Sequence, residues 1–291
     1  MQTIQIAGLQ YQISGQNDFD LNEEERQFLL TTENQECFPA PLVVVRTRIQ
    51  GAEKLPYPVA PADYEERDLR VRCEGESEIR TYYAGIYEHC PVYAQSRFNC
   101  GKEKQLDIYY LGKSGLWGNC NLRIWNHLHL EPALLSVGAL VLHCSYLMYQ
   151  DQAILFSAPS GTGKTTQAKL WEKYYGGRII NGDKAVLMKR DGRWFVWGFP
   201  YHGSAPECEN QSYPIRAISV VRQSPVDYIE EERTGKAIRD LYSEITVNSW
   251  KEEEVSKALE LVGDICMSLP VVRQYCTMKK EAADTLYRYL F

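Results

Sequence analysis

The chain has 291 residues, 44% hydrophobic and 24% charged, which supplies a real core and excludes wholesale disorder. Its 32 basic and 38 acidic residues leave a net charge of −6, a poor balance for a general nucleic-acid or membrane-surface binder. The opening MQTIQIAGLQ lacks the basic and apolar regions of a signal peptide, and the apolar run from Ala133 to Tyr149 falls short of the roughly 20 residues a membrane span needs. The nine cysteines therefore read as reduced cytosolic thiols, and with no Cys-x-x-Cys among them a zinc site is not expected.

In chain order, Thr3–Ala7 and Leu9–Ile13 alternate as strands do. A short acidic segment at Asn22–Arg26 reads as a solvated helix face or turn. Leu42–Val45 is a β-branched run that reads as a buried strand. Gly51–Asp68 holds Pro56, Pro58 and Pro61 among charges and reads as a long loop. Arg80–Ala84 and Leu106–Leu111 are further strands. His127 and His129 alternate on a predicted strand end and read as one solvated face rather than a metal pair. Tyr82-Tyr83 and Tyr109-Tyr110 read as core or cross-strand pairs rather than a peptide groove.

From about residue 131 the pattern becomes α/β. Glu131–Leu142 has helical spacing, with Glu131 and Pro132 suited to a first turn. His143–Tyr149 and Ala153–Phe156 form a hairpin across Gln150-Asp151-Gln152. Lys164–Tyr175 is a helix, and Arg178–Asn181 and Ala185–Lys189 are strands. Asp191-Gly192 is a hairpin turn into Trp194–Gly198. Ile215–Arg222 is a strand, Lys251–Leu269 a helix, Val271–Cys276 a strand and Glu281–Phe291 a closing helix. The expected organisation is a β-rich domain over 1–130 and an α/β nucleotide-binding domain over 131–291.

One segment carries chemistry. Residues 158–165 read Ala-Pro-Ser-Gly-Thr-Gly-Lys-Thr, followed by Thr166, between an apolar strand and a helix. This is a Walker A loop with Ala158 in place of the first glycine. Gly161 and Gly163 let successive N–H groups turn inward as an anion cradle, with Ser160 and Thr162 between and beside them. The helix N-terminus adds its positive end. Lys164 is suited to reach the β- and γ-phosphates of ATP, the Thr165 hydroxyl to ligate Mg²⁺, and Thr166 to add a phosphate hydrogen bond. Downstream, Ile179-Ile180-Asn181-Gly182-Asp183 ends a strand on an acid, a second candidate Mg²⁺ ligand.

The hairpin bearing His143, the loop SAPSGTGKTT, the strand end INGDKAVL and the stretch Trp197–Ser204 resemble the catalytic domain of the HPr kinase/phosphorylase family over residues 132–291. That domain shares its nucleotide-binding fold with phosphoenolpyruvate carboxykinase. The resemblance implies a P-loop fold, ATP and Mg²⁺ as cofactors, and phosphoryl transfer to a serine or threonine hydroxyl of a protein or peptide. It also implies an acidic pair after the loop, of which this chain has only Asp183, with Gly182 before it. Asp183 is then metal ligand, base or both by turns, and a plain kinase is favoured over a phosphorylase.

His143 matches the family's histidine near the phosphates; a core role stands beside a catalytic one. His202 and Lys184 read as exposed neighbours more readily than as site residues, and alternation does not choose between Arg216 and Arg222. The implied protein is cytoplasmic, binds neither nucleic acid nor membrane, and is a possible homo-oligomer. A small-molecule kinase or carboxykinase-like enzyme on the same P-loop fold and a non-catalytic nucleotide sensor stay open.

Overall fold

The computed structural model describes all residues except 16–20, 22, 32–39, 85–90, 113–123, 201–206 and 232–233. The chain divides into two compact units, Met1–Ala133 and Leu134–Phe291. Together the described residues make a mixed α/β protein with two mixed sheets and five α-helices. Among them no helix is long and apolar enough to cross a membrane.

The first unit is an eight-stranded sheet. Its strands are β1 (Gln2–Ile6), β2 (Leu9–Gly15), β3 (Val43–Ala52), β4 (Tyr64–Glu66), β5 (Leu69–Glu74), β6 (Ser77–Tyr83), β7 (Val92–Asn99) and β8 (Lys104–Leu111). Their order is β1-β2-β3-β8-β7-β6-β5-β4. β3 runs parallel to both β2 and β8, and the other neighbours are antiparallel. Period-2 patterning decides the buried face: Leu9, Tyr11 and Ile13 are buried while Gln10 and Gln12 are half-exposed. The run expected to be wholly buried is not, since Val45 is buried but Leu42 and Val44 are exposed. β3 also extends to Ala52, and β4 lies within the stretch read as loop. Asn22 is outside the described residues; the rest of the acidic segment is a turn leading into a 3₁₀ helix, with Glu23 and Arg26 exposed as expected but Glu25 buried.

A polar network fills part of this unit's interior. His127 and His129 are fully buried, not on a solvated strand face, and His127 ends a 3₁₀ turn (Ile124–His127). His127 bonds the Tyr110 hydroxyl through Nδ1 at 3.1 Å and the Tyr93 hydroxyl through Nε2 at 3.2 Å. His129 bonds Ser96 Oγ through Nε2 at 2.6 Å and Glu78 through Nδ1 at 3.2 Å. Arg80 donates to Glu78 at 2.7 Å and lies 3.6 Å from Glu131. Every ring nitrogen is thus engaged, leaving neither histidine a free lone pair for a metal. Tyr82, Tyr83 and Tyr110 are buried, as core residues.

The second unit follows the helix α1 (Leu130–Ser136). The helix expected to reach Leu142 stops here. Gly138 adopts φ +74, and Ala139–Leu142 instead open the strand β9 (Ala139–Tyr149). An unbroken apolar run suits a buried strand as well as a buried helix, and pairing on both edges of β9 settles it.

The remaining strands are β10 (Gln152–Ser157), β11 (Arg178–Asn181), β12 (Lys184–Arg190), β13 (Arg193–Trp197), β14 (Ser212–Gln223), β15 (Tyr228–Glu231), β16 (Ile245–Thr246) and β17 (Val271–Cys276). The helices are α2 (Lys164–Tyr175), α3 (Thr234–Tyr242), α4 (Glu252–Ser268) and α5 (Lys280–Leu290). The sheet runs β10-β9-β12-β13-β14-β17-β15, and β10 also pairs in parallel with β14, so part of the path closes on itself. The turns at Gln150-Asp151 and Asp191-Gly192 have positive φ at both residues, the twist a two-residue hairpin needs.

Two apolar layers cover the sheet. Ala168 and Trp171 of α2 and Ala282, Ala283 and Leu286 of α5 pack with Ile154, Phe156 and Val221 on one face. Ala237 and Leu241 of α3 and Ala258, Val262 and Ile265 of α4 pack with Leu155, Ile218 and Val220 on the other. Successive residues of β10 therefore enter opposite cores, which explains its continuous apolar sequence.

Candidate phosphoryl-transfer site

The strand β10 ends at Ser157, opposite Val220 of its parallel neighbour β14, which runs on to Gln223. Ala158 through Gly163 then turn the chain into α2. Gly161 and Gly163 adopt φ +77 and +112, where side chains are strained, and a Cβ on either would meet nothing within 4 Å. Glycine is needed here for its backbone freedom, and the space beside it is open. Ala158 is fully buried in the core under α2, and it is not among the non-glycine residues of positive φ. Gln223, at the end of β14, steadies the loop from outside, its Nε2 lying 3.5 and 3.4 Å from the carbonyls of Gly161 and Thr162. Ser160 and Gly161 are exposed, whereas Thr162, Gly163, Thr165 and Thr166 are half-buried.

Lys164 curls back over its own loop and donates to the carbonyls of Ala158 at 2.7 Å and Pro159 at 3.3 Å. Burial pushes its pKa down, and the negative charges of Glu244 and Asp183 oppose that shift. The Thr165 hydroxyl lies 3.4 Å from the Gly182 carbonyl, so the first turn of α2 meets the corner before Asp183. That corner is held by Asn181, fully buried, whose Oδ1 accepts the N–H groups of Asp183 at 2.8 Å and Lys184 at 3.1 Å. Asn181 Nδ2 donates to the Phe199 carbonyl at 2.8 Å. An Asx-type turn thus aims Asp183.

His143 sits where the edges of β9 change partners. On one edge β12 pairs as far as His143 and β11 takes over from Tyr146. On the other, β16 pairs with Val141 and Leu142, and β10 with Cys144 onward. Asp183 and Glu244 occupy the two gaps. The Asp183 carbonyl accepts Cys144 N–H and the Glu244 carbonyl accepts His143 N–H, each at 2.9 Å. The side chains repeat the pattern: His143 Nε2 is 3.5 Å from Asp183 Oδ1 and Nδ1 is 2.9 Å from Glu244 Oε2. Hydrogen bonds to both carboxylates raise the His143 pKa, Asp183 first, and the same contact with His143 lowers that of Asp183.

The remaining candidates separate cleanly. Arg216 donates to the Leu290 carbonyl beneath the Phe291 ring, away from the loop end of β14. Arg222 stands at the loop end, 3.2 Å from Asp240, a carboxylate it shares with Arg273. Lys184 lies 6.0 Å from the Phe199 ring centroid, a cation–π partner. His202 lies outside the described residues. Gly198 is needed for close approach, because a Cβ there would lie 1.7 Å from the Glu209 carbonyl oxygen.

Glu244, Asn181 and Gln223 were not singled out in the sequence. Asn181 could have been, as a short polar side chain two residues before the acid. Glu244 had no local signal. Hard oxygen donors, Thr165 and Asp183, are the groups that could hold Mg²⁺, and Lys164 with the loop amides could hold phosphates.

No family model matches the chain, and no curated protein matches it. Among solved structures it is similar to the HPr(Ser) kinase/phosphatase from Coxiella burnetii over 32% of this chain and 72% of that one. Identity is 9% and the TM-score 0.24, a likeness too slight to carry the fold or the chemistry of the site.

Proposed function

We propose that the Leu134–Phe291 unit is an ATP- and Mg²⁺-dependent kinase that transfers the γ-phosphate to a serine or threonine hydroxyl of a protein or peptide. The observation that supports this most is the convergence on one spot of a glycine-opened loop, Lys164, the Thr165 hydroxyl and the Asp183–His143 pair. Thr165 is 3.4 Å from the carbonyl of the residue before Asp183, and Asp183 is 3.5 Å from His143. Phosphoryl transfer asks the protein mainly for positioning and charge neutralisation, and these groups are suited to both.

In this reading the loop amides and Lys164 orient the phosphates. Thr165 and Asp183 hold Mg²⁺, with Ser160, Thr162 and Thr166 as further polar neighbours of the nucleotide. Mg²⁺ held there would neutralise phosphate charge. Asp183, kept ionised by His143, takes the proton of the acceptor hydroxyl. One acid at the corner favours a kinase over a phosphorylase. The Met1–Ala133 unit serves acceptor choice or self-association, and ATP as donor suits the cytoplasm.

The test is transfer of label from γ-labelled ATP to serine-containing peptides and proteins. Label on an acceptor hydroxyl with wild type and none with Lys164→Ala supports the reading. Tight ATP binding without transfer makes the protein a nucleotide sensor instead.

A further inference from the structure

We propose that Glu244 is the positioning carboxylate of this site, holding the His143 ring so that Nε2 faces Asp183. The proposal rests on the kinase reading for its catalytic consequence, though not for its geometry.

Glu244 grips His143 twice. Its carbonyl accepts the His143 main-chain N–H and its Oε2 lies 2.9 Å from Nδ1. An ionised carboxylate only accepts, so this bond requires the hydrogen on Nδ1 and fixes which nitrogen turns to Asp183. The backbone that delivers Glu244 is itself tied down. Its N–H donates to the Leu241 carbonyl at 3.1 Å at the end of α3, and the next two residues pair with Leu142 and Val141.

Burial is the second argument. Glu244 is only 9% exposed, and a carboxylate removed from water is costly unless its partner repays that cost. A leucine in that gap between strands would serve the fold more cheaply. Position is the third. On β9 the two carboxylates take opposite ring nitrogens, Glu244 at Nδ1 and Asp183 at Nε2. The two acids thus reach one histidine from opposite edges of β9, 61 residues apart in sequence (244 − 183).

Glu244→Ala, Glu244→Gln and wild type are compared by long-range ¹H–¹⁵N spectra of His143 and by label transfer from ATP. The expected result is a hydrogen-bonded, exchange-protected Hδ1 in wild type and Gln, lost in Ala. Turnover in Ala falls on the order of 10- to 100-fold with ATP affinity within about twofold, and Gln recovers most of it. Glu244→Leu fills the same volume without an acceptor and replaces Ala should that variant unfold. An unchanged Hδ1 in Ala or Leu overturns the proposal, as does unchanged turnover while Lys164→Ala is inactive. If wild type transfers no label, the kinase reading fails and the spectra alone decide the positioning role.

Discussion

Two histidine sites in this chain have opposite electrostatics. In the first unit His127 and His129 are sealed among tyrosine and serine hydroxyls with Glu78 beside His129, and burial, with the nearby Arg80 charge, outweighs that carboxylate and pushes their pKa values down to about 3 and about 4. In the second unit His143 is partly open and lies between two carboxylates, which raise its pKa. The residue type is the same; burial and partners decide whether its pKa is pushed down in a sealed interior or raised beside the Asp183 corner. Perturbation alone would nominate all three. Geometry nominates only His143, because a glycine-opened loop and a lysine share its surroundings.

The contrast can be sharpened by acid titration, where the largest effect is expected. The unfolded chain protonates His127 and His129 near 6.5, but the folded chain does so only near 3 and 4. Between these values the unfolded state holds more protons, so stability is lost as the pH falls, by up to about 1.4 kcal/mol per pH unit for each histidine. His143 has the opposite sign. Its contribution is complete below the unfolded pKa and is lost as pH rises through the raised folded value. Chemical denaturation from pH 7 to pH 4 should show the first-unit transition weakening steeply. A flat profile would break the comparison at its stronger end.

Next in size is Lys164→Ala, for which ATP affinity measured calorimetrically should drop by about 100-fold or more, with the fold retained. Asp183→Asn should keep most nucleotide affinity and lose Mg²⁺-dependent turnover, measured by label transfer at varied Mg²⁺. Wild-type turnover would assign the ion to another residue. The smallest effect is that of Gly163→Ala. At φ +112 the added Cβ strains the backbone by about 1–2 kcal/mol, read as a shift in denaturation midpoint, although open space surrounds it.

Legibility from the sequence followed the range of the interactions. The loop from Ala158 to Thr166, the Asp191-Gly192 turn and the β10 strand depend on neighbours in sequence, and all were readable. His143 and Asp183 were singled out by their motif context, and the fold brings them to 3.5 Å of each other. Glu244 was not, because α3 and the two-residue β16 carry it across the fold to a partner 101 positions away. The helix misplaced over Ala139–Leu142 failed for the same reason, since only pairing on both edges makes that run a strand. In the first unit His127 and His129 looked solvated. Alternation shows which residues share a face but not what covers it, and their partners come from β6, β7 and β8.

The central claim is that the amides from Ser160 to Thr166 grip a triphosphate, and their ¹H–¹⁵N resonances test it most directly. Titration with Mg·ATP should shift these amides and the Lys164 side chain first and furthest, with AMP producing far smaller changes. Saturating ATP that leaves them unmoved, or moves only residues elsewhere in the chain, would contradict the account.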